Sequence, residues 1–292
     1  MSALTEKLER GSPNQMLKIL IISTTCVWFG VCLAVYLWQE KMIFQPTQVL
    51  GSTPKRLGLA YEDVTLSTKD GETIHGWYVA HQEATSTVLF FHGNGGNIAD
   101  RPLTLTHLHD LGLNVFMIDY RGYGRSSGTP SGEGTIIDAQ AAWAYLVDRR
   151  EIKPEEITIY GRSLGGAIAI ALAATTNPRA VIVESTFTSI ADLGAITYPY
   201  LPISLLVRYD YKSIATITQL ATPILIAHSP SDELIPFTHA QSLFDAANAQ
   251  KRFYRLRGSH NESFVRAGPD YYAALGQFIN DPSDTSPAID GP

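Results

Sequence analysis

The chain has 292 residues, 45% of them apolar and 17% charged, enough for one large globular domain with a sizeable core. Its net charge of −6 and the lack of any dense Lys/Arg run argue against nucleic acid as a partner. No period of 20–50 residues repeats, which argues against a solenoid or propeller. Both cysteines, Cys26 and Cys32, lie in the N-terminal segment, so the rest of the chain has no disulfide, thiol nucleophile or cysteine-based zinc site.

After a flank at 1–18, the run "ILIISTTCVWFGVCLAVYLW" (19–38) carries no charge. As a helix it would rise roughly 30 Å, the thickness of a bilayer core. Trp38 and Lys41 at its far end have the character of interface anchors. The run is long for a signal peptide and "AVYLW" makes a poor cleavage site, so the expectation is an uncleaved single-pass anchor. Lys7, Arg10 and Lys18 precede it, and Lys41, Lys55 and Arg56 follow it. The positive-inside rule therefore does not orient the domain.

A linker at 39–59 leads into two alternating, β-rich runs, "YEDVTLST" (61–68) and "TIHGWYVA" (73–80), which predict an antiparallel hairpin. "TVLFFH" (87–92) is wholly apolar, as a strand buried on both faces should be. Helix is then predicted over 103–112, 135–150, 164–176, 240–250 and 269–280. Strand is predicted over 114–120, 156–161, 180–185, 223–229 and 252–258. This alternation predicts a mostly parallel sheet covered by helices on both faces, in one domain over 60–280. The apolar segment 186–220 interrupts the alternation and reads as a small cap over a pocket. The polar tail 281–292 is expected to be disordered.

G-x-S-x-G occurs twice, in "YGRSSGT" (123–129) and "YGRSLGG" (160–166). A nucleophilic serine needs a sharp turn between a strand and a helix, which lifts its oxygen clear of the sheet. Ser163 meets that need, because "EITIY" runs into Gly161 and a helix begins directly after the serine. Ser126 does not, since "RGYG" follows its strand and "SGTPSGEG" cannot start a helix. It is expected in a glycine-rich loop at the pocket rim.

A serine needs a base, and the base an orienting acid. These should come from loops at the carboxyl ends of later strands. "SDELIP" offers Asp232 and Glu233, with the shorter Asp232 preferred, and "GSHNES" offers His260. His228 sits at a strand end and His239 at a helix start. His260 alone follows the last strand. The loop "FFHGNGGN" (90–97) is expected to form the oxyanion hole with the residue after the serine, the donors being the backbone N–H groups of Leu164 and of Asn94 in the loop. It lacks the spacing and the lysine of a phosphate-cradling loop.

"FFHGNGGN", "DYRGYGRSSGTPS", "YGRSLGG", "ESTFTS", "SDELIP" and "GSHNE", in that order, resemble the α/β-hydrolase superfamily. More narrowly they resemble its membrane-associated serine hydrolases, a subgroup that includes protein depalmitoylases and is grouped with serine aminopeptidase-like domains. The resemblance implies an α/β-hydrolase fold and a Ser163–His260–Asp232 triad acting on acyl esters or thioesters. It implies neither metal nor cofactor. The animal depalmitoylases carry a cysteine-rich, lipid-modified N-terminus where this chain has an apolar helix. A peptidase of the aminopeptidase type would want an acidic patch, for which 186–220 offers only Asp192 and Asp210. A non-catalytic, membrane-tethered binding protein would be expected to have lost a triad member.

Overall fold

The computed structural model describes residues 13–283 and the backbone of 289–290. Residues 1–12 of the N-terminal flank and most of the expected disordered tail lie outside the described residues. The apolar run becomes α1 (Pro13–Ile43), longer than the expected 19–38 at both ends. Along α1 the side chains of Ile19, Ile22, Val27 and Phe29 are exposed. Among the described residues it is the one helix long and apolar enough to cross a membrane.

The remaining elements follow the predicted alternation. In order they are β1 (Gln45–Pro46), β2 (Glu62–Ser67), β3 (Thr73–Val79), β4 (Thr87–Phe91), β5 (Gly95–Gly96), α2 (Pro102–Asp110) and β6 (Asn114–Asp119). Next come α3 (Gly132–Ala144), β7 (Ile157–Arg162), α4 (Leu164–Ala173) and β8 (Ala180–Glu184). The 186–220 segment holds three short helices, α5 (Ile190–Thr197), α6 (Ile203–Leu206) and α7 (Ser213–Ile217). The chain ends with β9 (Ile224–His228), α8 (Phe237–Ala246), β10 (Lys251–Arg255), α9 (Ser263–Arg266), α10 (Gly268–Asn280) and β11 (Ile289–Asp290).

Helix ends differ from expectation for local reasons. α3 starts at Gly132 because Ser131 caps it, its hydroxyl accepting from the Gly134 N–H. α4 stops at Ala173, where the hydroxyls of Thr175 and Thr176 donate to the Leu172 carbonyl. α8 stops at Ala246, where the Lys251 ammonium takes the carbonyls of Phe244 and Ala247.

The main sheet has the order β11-β10-β9-β8-β7-β4-β6-β3-β2. β2 and β3 form the predicted hairpin, β3 pairs antiparallel with β6, and the other pairs are parallel. Parallel strands covered on both faces read as near-continuous apolar runs, and every residue of β4 and β8 is buried, Glu184 at the end of β8 included. One core lies against α3, α4 and α8 through Phe91, Ile159, Ala169, Ile226 and Leu243. The other lies against α2 and α10 through Phe90, Val115, Leu108 and Phe278. The carboxyl ends of β4, β7, β9 and β10 converge on one edge, so the loops after them meet.

Candidate active site

The turn after β7 is set by backbone sterics. Ser163 adopts φ 53° and ψ −119°, a conformation that costs an L residue about 1–3 kcal/mol. The turn holds because its carbonyl accepts from the Gly166 N–H and the Thr186 hydroxyl, while its N–H donates to the Glu184 carbonyl. A Cβ at Gly161 would lie 2.0 Å from the Gly165 carbonyl oxygen, and one at Gly165 would lie 2.0 Å from that of Phe91. Glycine is required at both positions by close approach of backbone to backbone.

Of the expected site residues, Ser163, His260 and Asp232 meet. His260 Nε2 is 3.1 Å from Ser163 Oγ, and His260 Nδ1 is 2.7 Å from Asp232 Oδ2. Asp232 Oδ1 accepts from the backbone N–H groups of Leu234 and Ile235, at 3.0 and 2.7 Å. Burial resists ionisation of Asp232, yet its bonds from His260 and the Ile235 N–H hold the carboxyl below its ordinary value. Glu233, the other acid weighed, instead accepts from the backbone N–H of His260 at 3.0 Å. His228 is buried with Nε2 against the Ile235 carbonyl, and His239 bonds Thr188.

The carbonyls of the 92–97 loop are engaged by groups other than Ser163. The Asn94 carbonyl accepts from the Gln45 N–H and the Tyr123 hydroxyl, that of His92 from the Tyr120 hydroxyl, and that of Gly95 from Arg101. Among the described residues, the backbone N–H groups of Asn94 and Leu164 have no acceptor. Both residues line the same cavity as Ser163, and Leu164 heads α4, where the helix dipole is positive.

That cavity has a volume of about 220 Å³. Phe187, Leu193, Ile203, Leu206 and Ile235 line it, and among the described residues no charged side chain does. α5 and α6 of the 186–220 segment form its roof, and α1 a further wall. Asp192 accepts from the Thr188 hydroxyl, and Asp210 accepts from the Ala191 N–H. Neither carboxylate lines the cavity.

Ser126 is not at the rim. It is buried, donating to the Asp119 carbonyl and accepting from the His75 N–H, so it ties the 121–128 loop to β3 and β6. Two residues not singled out in the sequence also support the site. Arg162 donates to the His260 carbonyl at 3.1 Å, pairs with the buried Glu184 at 3.3 Å and stacks on Phe264. The hydroxyls of Tyr160 and Tyr271 donate to that same Glu184. The placement of Arg162 inside "GRSLG" was the available signal, but its partners come from β8, the His260 loop and α9.

A profile of the alpha/beta hydrolase fold matches residues 86–212. The Arabidopsis thaliana alpha/beta hydrolase domain-containing protein WAV2 is 36% identical over 278 residues, covering 86% of this chain and 90% of that one. The chain belongs to the α/β-hydrolase superfamily. An uncharacterized Mycobacterium tuberculosis protein, Rv2307c, is 35% identical to this α/β hydrolase over 257 residues, covering 86% and 91% of the two chains. The Pyrococcus furiosus esterase Pf2001 shares the fold, with a TM-score of 0.69 at 20% identity over 81% of this chain and 98% of that one.

Proposed function

We propose that this α/β hydrolase is a membrane-anchored serine hydrolase that cleaves carboxylic esters or thioesters. The reading is carried by the contact of His260 Nε2 with Ser163 Oγ at 3.1 Å, backed by Asp232 at 2.7 Å. The esterase name of the structurally similar Pyrococcus furiosus protein supports it.

His260 Nε2 takes the Ser163 proton as Oγ forms a bond to the substrate carbonyl carbon. Asp232 keeps the Nδ1 proton in place and stabilises the imidazolium. The carbonyl electron pair moves onto oxygen, which the N–H groups of Asn94 and Leu164 hold, each lowering the barrier by about 3 kcal/mol. The tetrahedral adduct collapses and the leaving alcohol or thiol departs with the proton from His260. Water, deprotonated by the same imidazole, then attacks the acyl-serine, and the acid leaves as the imidazolium returns that proton to Ser163 Oγ. The 186–220 segment serves as a cap over the acyl chain, and α1 as the membrane anchor. An uncharged cavity with Asp192 and Asp210 engaged elsewhere disfavours the peptidase reading, which needs a carboxylate for the substrate's amino terminus.

The test is labelling of the detergent-solubilised protein by a fluorophosphonate, beside butyrate-ester turnover. Ser163→Ala is expected to abolish labelling and to lower kcat about 10⁶-fold. Retained labelling in that variant, or its loss in Ser126→Ala alone, would overturn the assignment.

A further inference from the structure

The helix that anchors the protein also builds its cavity. Val35, Gln39, Met42 and Ile43 of α1 line the space above Ser163, opposite α5 and α6. The contact is specific: Gln39 donates to the Leu206 carbonyl at 3.0 Å and accepts from the Arg208 N–H at 2.8 Å. Further along, Trp28 Nε1 donates to the Tyr200 carbonyl. The chain leaving α1 is bonded to the oxyanion loop, with Asn94 Nδ2 on the Ile43 carbonyl and the Gln45 N–H on the Asn94 carbonyl.

The charges on the two elements agree in level. α1 is uncharged from Ile19 to Gln39, and the segment from Leu193 to Val207 is uncharged as well. Both runs end at one ion pair, Glu40 with Arg208 at 3.3 Å. Beyond that pair, the exposed side chains of the segment are uncharged and mostly apolar or aromatic, Thr197 and Ser204 being the polar ones, with Tyr200 88% and Leu205 81% exposed. From Trp28 to Glu40 the shared contact covers roughly 18 Å of helix, about half of a hydrocarbon core. If α1 crosses the bilayer through its uncharged run, the tip of the cap enters the proximal leaflet beside it.

We propose that the substrate is a membrane-lipid ester whose acyl chain passes sideways from that leaflet into the cavity, with α1 forming one wall of the acyl site. This rests on the serine-hydrolase reading. Taking an acyl chain out of the bilayer through water would cost about 0.8 kcal/mol per CH₂ exposed, a cost that a lateral path avoids.

The full-length protein in phosphatidylcholine vesicles is assayed with 1-palmitoylglycerol in the bilayer and p-nitrophenyl butyrate in the water. Val35→Trp, which fills the cavity from the α1 side, is expected to lower the ratio of palmitoyl to butyryl turnover at least about tenfold. The double variant Tyr200→Glu/Leu205→Glu, outside the cavity, is expected to lower palmitoyl turnover by about the same factor while butyrate turnover stays at the wild-type rate. An unchanged ratio in Val35→Trp, or unchanged palmitoyl turnover in the double variant, overturns the proposal. Failure of the parent reading looks different, because the wild type would then hydrolyse neither ester and Ser163 would take no label.

Discussion

Ser163 and Ser126 share a sequence pattern and are equally buried, but their backbones and the partners of their hydroxyls differ. One holds a left-handed φ of 53° at a helix start, with its hydroxyl on an imidazole. The other has its hydroxyl occupied by two backbone groups. Ser126→Ala leaves the buried His75 N–H without its acceptor, a loss of about 1–3 kcal/mol. A melting temperature lower by roughly 3–10 °C is expected, with fluorophosphonate labelling intact. Thermal melts beside labelling read both. For Asp232 the sign follows from its lowered pKa. A carboxyl that ionises more readily folded than unfolded adds stability that is full above the unfolded value of about 3.9 and is lost as pH falls through the folded value. Asp232→Asn should therefore narrow the gap in urea midpoint from wild type as the pH is taken from 7 to 3. At pH 7 it should also lower kcat about 10⁴-fold, by allowing the wrong imidazole tautomer.

At the scale of elements, the site depends on how closely α4 approaches β4 and β7. Gly165→Ala would force a Cβ to 2.0 Å from the Phe91 carbonyl oxygen, and backbone on both sides leaves nothing flexible to move. A loss of more than about 4 kcal/mol is expected, or failure to fold. Gly51→Ala, with nothing within 4 Å of its added Cβ, should melt with the wild type. Calorimetry of the pair tests whether close packing or glycine content matters. The elements themselves were readable because their cause is local. Two-residue alternation marked the hairpin of β2 and β3, and an unbroken apolar run marked β4. Their ends were less readable, since α8 ends where Lys251, on the next strand, reaches back to its carbonyls.

For the whole molecule, the uncharged face shared by α1 and the 186–220 segment sets the expected behaviour. A cleaved signal sequence would leave that segment without the wall that Gln39 and Trp28 pin to it. The protein is therefore expected to keep residues 19–38 and to stay in the membrane pellet after alkaline carbonate extraction. Release into the supernatant, with a mature N-terminus beyond residue 38, would refute the anchor. The alternating elements, the uncharged span and the expectation of Ser163 over Ser126 were legible in the chain, because periodicity, charge and a strand–serine–helix turn are written in consecutive residues. Tertiary structure alone decided that Glu233 holds the His260 backbone rather than its ring, that Ser126 is buried, and that Arg162 braces the histidine loop. It also brought α1 over Ser163. Each of these is a contact between residues far apart in the chain, made when strands from distant segments line up at one sheet edge, and no local pattern encodes it.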